Sequence, residues 1–450
     1  MNMKKKVVFY ILIIGLLFLG SPFINAQTES SNRKELLSSD SLTLKEILSV
    51  VILNHPSVKE AEEILNETDY RINNAKSGYY PNVDISASYA HIGPVPSVSL
   101  GDQSFAMAPS DNIGGALNFR QTIYDFGRTS RSILLEKENQ NIESVNVSIV
   151  KQRLTMNVIN TFYALTYLQD ALQIKNKDLE SLQDHLEFVK KQQITGTATK
   201  YEILATQVRI SSTESQKIDL ETLIKSQRVV MDMLAGMPSI FIPKIKRELN
   251  IKTVNISSDS LVNYGFSQRV DLASALEKEK KAELQYNLMK TTEMPLLSFI
   301  ASGGGKNGYF PDLGIVKANY LVGLDLRIPL FDGYRKKNNL ALAKSYINTF
   351  AYETELTKRN INNEIVEADA NKKAAEKKIK QFEIQLELAD EAFSMAKTKY
   401  ANGTITNLEM LDMETAVSDS RLLLMKANID YILSIYRMRI AIGDKLYDNL

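Results

Sequence analysis

The 450-residue sequence contains no cysteine, so neither a disulfide nor acylation of a cysteine can hold or anchor it. Histidine is nearly absent as well. His55, His91 and His185 are the whole set, and they fall in a turn, a strand and a helix, without the spacing of metal ligands. His55 before Pro56 reads as part of a helix-initiating turn. No nucleophile, base and orienting group cluster in the sequence. Gly303-Gly-Gly-Lys306-Asn lacks the Ser/Thr and the spacing of a phosphate loop and reads as a loop joining strands. These absences predict a protein that is not an enzyme and that needs no cofactor and no metal. After the first 26 residues no apolar run reaches the roughly 20 residues of a membrane-spanning helix. Any membrane insertion must therefore use β-strands.

The N-terminus reads as an address. Lys4–Lys6 precede an apolar run from Val7 to Leu19, and Asn25-Ala26 offers a small-residue cleavage site. The expectation is a signal peptide over 1–26, with the mature chain starting at Gln27. Its removal leaves 51 Lys and Arg against 53 Asp and Glu, a net charge of about −2. That balance argues against nucleic acid as a partner.

What the sequence does contain is itself, twice. Arg120, Asp125, Arg128, Gly196, Thr199, Glu202 and Gly236 recur 207 positions later as Arg327, Asp332, Arg335, Gly403, Thr406, Glu409 and Gly443. Pro81 and Pro295 lie 214 apart, so the first copy carries seven additional residues between its Pro and its Asp. The predicted units are a first repeat over 27–236, a connection over 237–265 and a second repeat over 266–450.

Each repeat predicts the same order of elements. The chain holds 20 Gly and 11 Pro, yet none falls in 128–193 or 335–402. Nothing local breaks either stretch, and a helix of that length is about 100 Å long. In the first, Val158, Phe162, Leu165, Leu168, Leu172, Leu179, Leu182, Leu186 and Val189 follow one another mostly at three and four residues. That spacing makes a seam for a partner helix. Shorter helices are predicted over 200–235 and 408–442. Those over 57–80 and 270–293 could stack end to end with them to cover each long helix. Gly196-Thr197-Ala-Thr-Lys-Tyr-Glu202 and Gly403-Thr404-Ile-Thr-Asn-Leu-Glu409 each combine a C-cap glycine with a Thr-x-x-Glu capping box. Both form exposed hairpin tips, where a partner could dock.

Four segments alternate at the period of a strand, about 81–91, 115–125, 295–303 and 320–331. Val83, Phe119, Leu324 and Leu326 share the apolar faces. Asp84, Asn118, Arg120, Asp325 and Arg327 share the polar ones. Aromatic residues near the ends, among them Tyr79, Tyr124, Tyr320 and Phe331, resemble interfacial girdles. A soluble half-buried sheet would alternate in the same way. If the strands form a barrel wall, four are too few to close one, so several chains must build it.

The order of elements, the duplication and several motifs resemble the TolC family of outer-membrane efflux proteins. Leu42-Thr-Leu-Lys-Glu-Ile-Leu-Ser and Asn54-His-Pro-Ser-Val-Lys are similar to the family's N-terminal helix and turn. Ile328-Pro-Leu-Phe-Asp-Gly-Tyr-Arg335 resembles its strand-to-helix junction, and Tyr124-Asp-Phe-Gly-Arg128 is the degenerate first copy. Tyr400-Ala-Asn-Gly-Thr404 resembles its hairpin tip. The likeness runs over about residues 40–445. It implies a mostly α-helical chain with a membrane β part. As a homotrimer it would make a twelve-stranded barrel and an α-helical periplasmic tunnel. The implied location is the outer membrane, in contact with its lipid. The implied partners are a periplasmic adaptor (membrane fusion) protein, docking at Gly196, Thr197, Gly403 and Thr404, and an inner-membrane transporter of RND or ABC type. Asp84, Asn118, Arg120, Asp325 and Arg327 would line the barrel lumen. Some members close the tunnel with aspartates near the end of the second long helix. Here Ser394 and Lys397 stand near that level, with Asp390 and Glu391 one turn earlier, so these four are the candidates for a constriction. The implied function is export, by efflux or type I secretion. The alternative is a periplasmic coiled-coil adaptor or scaffold without a pore. It shares the leader and long hairpins but has no need of two polar/apolar strand pairs.

Overall fold

Thr43 and Glu46 cap each other reciprocally and start the first helix, α1 (Leu44–Asn54). The computed structural model describes residues 41–236, 244–245 and 258–448. The predicted leader and most of the predicted connection over 237–265 lie outside the described residues. At His55 the ring Nδ1 accepts the Ser57 amide at 3.1 Å, and Pro56 opens α2 (Pro56–Lys76). There follow strands β1 (Asn82–His91) and β2 (Asp111–Tyr124), then helices α3 (Arg128–Ile194) and α4 (Lys200–Ala235). The second half runs α5 (Ser258–Gln268), α6 (Val270–Thr292), β3 (Leu296–Lys306), β4 (Lys317–Arg327), α7 (Arg335–Ala401) and α8 (Asn407–Ala441).

Helices α3 and α7 are 67 residues each, about 100 Å at 1.5 Å per residue. Each is covered by two shorter helices. α2 packs on the first part of α3, with Lys151 on Glu62 at 2.9 Å and Gln140 on Asp69 at 2.7 Å. α4 packs on the rest, and α6 and α8 do the same along α7.

Both strand-to-helix junctions turn through two residues in the left-handed region. These are Phe126 and Gly127 at φ 55° and 77°, and Gly333 and Tyr334 at 67° and 66°. The aspartate before each pair caps the helix that follows. Asp125 accepts the amides of Gly127 and Thr129, and Asp332 accepts the amide of Lys336. Arg128 donates back to the carbonyls of Thr291 and Thr292, and Arg335 pairs with Glu293 at 3.3 Å. The repeated Asp and Arg therefore fix the angle at which strand meets helix.

The core is duplicated with the chain. Leu154, Val158, Met231, Leu234 and Ala235 belong to one buried cluster. Their counterparts 207 residues later, Ile361, Ile365, Met438, Ala441 and Ile442, belong to another. The first also takes in Leu44, Ile47, Leu48 and Val51 of α1. A third cluster lies at the hairpin tips around Val189, Tyr400 and Met410.

Three strands depart from their predicted bounds. β2 begins at Asp111, because pairing on both sides overrides the weak strand preference of Gly114 and Gly115. β4 begins at Lys317, three residues earlier than predicted, and ends at Arg327, beyond which Pro329 supplies no amide to a ladder. Gly303–Lys306, expected as a loop, is the end of β3 and is paired on both sides. A Cβ at Gly304 would sit 2.0 Å from the carbonyl oxygen of Gly115. Glycine is there to let two strands approach.

Candidate functional site: the strand faces and the hairpin tips

The four long strands form one antiparallel sheet in the order β1-β2-β3-β4. Directly paired residues share a face, so the register sorts the side chains. One face carries Val83, Ile85, Leu117, Phe119, Phe299, Val322, Leu324 and Leu326. The other carries Asp84, Ser86, Asn118, Arg120, Ser298, Ser302, Asp325 and Arg327. All five residues expected on the lumen thus stand on one polar face. Two contacts tie them together. Asn118 donates to Asp84 at 2.8 Å and to Ser86 at 3.0 Å, and Arg120 meets Asp325 at 3.4 Å. Arg327 stands opposite Leu296.

The apolar face has no cover among the described residues. Ile85 is 82% exposed and Leu324 67%. The outer edges of β1 and β4 pair with nothing among the described residues. A bare apolar face and two open edges need lipid and further strands to satisfy them. No helix among the described residues is long and apolar enough to cross a membrane.

At the other end of the long helices the two hairpin tips lie side by side. Gly196 and Gly403 hold φ of 80° and 72° with no atom within 4 Å of a Cβ placed on them. Thr197 and Thr404 turn inward. Their amides and hydroxyls all bond to the carbonyls of Gln192 and Lys399, closing Schellman caps. The capping boxes Thr199/Glu202 and Thr406/Glu409 both form. Asn407 joins the tips, donating to the Glu202 carbonyl at 3.3 Å and to Thr206 at 3.2 Å.

Within one chain the four candidate constriction residues have separate surroundings. Asp390 pairs with Arg421 of α8 at 3.0 Å. Glu391 and Ser394 are exposed. Lys397 lines a cavity of about 360 Å³ with His185, Tyr400 and Glu414.

A buried polar ladder, absent from the sequence reading, joins the two hairpins above the tips. Ser418 accepts Lys175 at 2.9 Å and donates to Asp178. Ser181 donates to Glu414 at 2.5 Å, and His185 meets Asn407 at 2.6 Å. Burial lowers the His185 pKa, the Asn407 bond opposing it and the Lys397 charge adding to it. Burial pushes the Tyr400 hydroxyl up to about 12, with the Glu202 charge adding to it. Burial also raises the Glu414 carboxyl, against the Ser181 hydrogen bond and with the charge of Asp178. A carboxyl raised in the fold binds its proton more tightly there than in the unfolded chain. Its stabilising contribution is complete below the unfolded value of ~4.3 and is lost as pH rises through the folded value. Glu414→Gln keeps the acceptor for Ser181 and removes that loss. Its melting midpoint should exceed the native one at pH 7 and converge with it towards pH ~4. Equal midpoints at pH 7 would show that the burial costs nothing.

A family model described as outer membrane efflux protein matches residues 47–236 and 266–444. The outer membrane protein TolC of Vibrio cholerae is 21% identical over 411 residues, covering 89% of this chain and 90% of that one. The alkaline protease secretion protein AprF of Pseudomonas aeruginosa is 20% identical, covering 74% of this chain and 70% of its own. The crystal structure of the CmeC outer membrane channel of Campylobacter jejuni superposes with a TM-score of 0.76 at 16% identity. That match covers 89% of this chain and 86% of the channel.

Proposed function

The chain belongs to the outer membrane efflux protein family, and from that premise we infer that it is the outer-membrane channel subunit of a tripartite export system. The observation that carries this reading is the four-stranded sheet. One face is apolar and bare, the other polar, and both edges are open. Three copies joined β4 to β1 close a barrel of twelve strands with the polar face inward. The long helices then extend from the barrel into the periplasm as a tunnel wall. The open end of that tunnel, at the paired tips, meets a periplasmic adaptor and through it an inner-membrane transporter. A poreless coiled-coil scaffold would leave the apolar face in water, which is unfavourable for a patch of this size.

The test is assembly. The full chain, extracted from outer membranes in mild detergent, should run as a trimer, and cross-linking should stop at three chains. It should conduct ions in a planar bilayer. A stable detergent-soluble monomer that does not conduct would refute the channel.

A further inference from the structure

Six charged side chains stand on the polar face of the sheet, and they are not evenly spread. Asp84 and Asp325 balance Arg120 and Arg327, and all four lie in the helix-proximal half of the strands. The remaining two are Lys306 and Lys317, at the far end, where β3 and β4 meet the 307–316 loop. They are directly opposed in the register. Like charges facing each other across a ladder are destabilising. Neither lysine has an ion-pair partner among the described residues. Lys317 instead donates to the carbonyls of Tyr309 and Phe310, both at 3.4 Å, and Lys306 lies 5.4 Å over the Tyr309 ring. The position is held firmly. Buried Asn307, next to Lys306, accepts the Ile113 amide at 2.8 Å and donates to the Asp111 carbonyl at 2.6 Å.

On the channel reading, which this rests on, the end of the sheet far from the helices is the external mouth. We propose that Lys306 and Lys317 of three chains form a ring of six ammonium groups there, which makes the pore anion-selective. A ring of one sign inside a low-dielectric wall raises the local concentration of the opposite ion and excludes its own. The ring favours exit of negatively charged cargo and opposes entry of cations from outside. The surrounding loops carry Asp102 and Asp312, but neither pairs with a lysine of the ring.

Reversal potentials of the purified trimer across a potassium chloride gradient test this. Screening falls off over about 10 Å at 0.1 M salt, so the gradient should stay at or below that concentration. The native channel should prefer chloride. Lys306→Gln with Lys317→Gln should reduce the chloride-to-potassium permeability ratio about threefold or more, and the double Glu variant should invert it. A native channel that prefers potassium would overturn the ring, and so would one whose preference survives in the double Gln variant. If that variant fails to reach the outer membrane as a trimer, the single Gln variants decide by the same criterion. A native chain that makes no channel at all would instead refute the channel reading, and the ring with it.

Discussion

Leu324→Arg should remove the trimer from the outer membrane, while Asp325→Leu at the next position should leave it there. The two side chains point to opposite faces of β4, Leu324 beside Phe299 and Asp325 beside Ser298. On the lipid side an arginine costs roughly 2–4 kcal/mol near mid-membrane, and a trimer would carry it three times. On the lumen side the change removes the Asp325–Arg120 contact at 3.4 Å, between side chains that are each more than half exposed. Such pairs contribute about 0–1 kcal/mol. Trimer bands in outer-membrane extracts measure the outcome. If Leu324→Arg inserts normally and Asp325→Leu does not, the polar face is the one that meets lipid.

That experiment is possible because alternation was legible in the sequence. Asp84, Asn118, Arg120, Asp325 and Arg327 could be assigned to one face by counting in twos, and the ladder register puts them there. The long helices were equally plain, because a 67-residue stretch without Gly or Pro offers the chain no place to stop. Both capping boxes were legible for the same reason: their bonds are local. What was not legible depends on partners distant in sequence. Gly303–Gly305 looks like a loop until Gly115 and Ala116 are set against Gly304. Asp390 looks like a free carboxylate until Arg421 of α8 reaches it.

The polar ladder did leave a trace. Leu168, Leu172, Leu179, Leu182, Leu186 and Val189 follow a heptad seam with one step missing, and Lys175 occupies the missing position. A lysine in an apolar seam needs a partner, but only the fold shows that Ser418 and Asp178 supply it. Hairpin α3/α4 and hairpin α7/α8 are therefore held in one register by directional bonds as well as by the apolar cluster around Val189 and Tyr400. A buried polar position that fixes register is the role such groups serve in coiled coils.

That double fastening decides what a tip mutation should do. Gly403→Arg should abolish export while the trimer persists in the outer membrane. The φ of 72° strains any residue with a Cβ, at about 1 kcal/mol, but nothing lies within 4 Å to clash with it. The cap bonds at the Thr404 amide and hydroxyl do not involve the replaced atoms. Asn407, Met410 and the ladder above them hold the hairpins without help from the glycine. The added side chain therefore projects from the tip into the space where an adaptor would seat. Gly196 has the same left-handed backbone and the same open surroundings, so Gly196→Arg should act in the same direction. A ring of three chains offers both tips, and the double variant should be the more severe. Export of cargo is read alongside trimer level in the outer membrane. Normal export with both tips altered would refute docking there. Loss of the trimer would show that the glycines serve the fold alone, the outcome opposite to the one expected from a strain of about 1 kcal/mol, which is too small to dismantle helices of this length by itself.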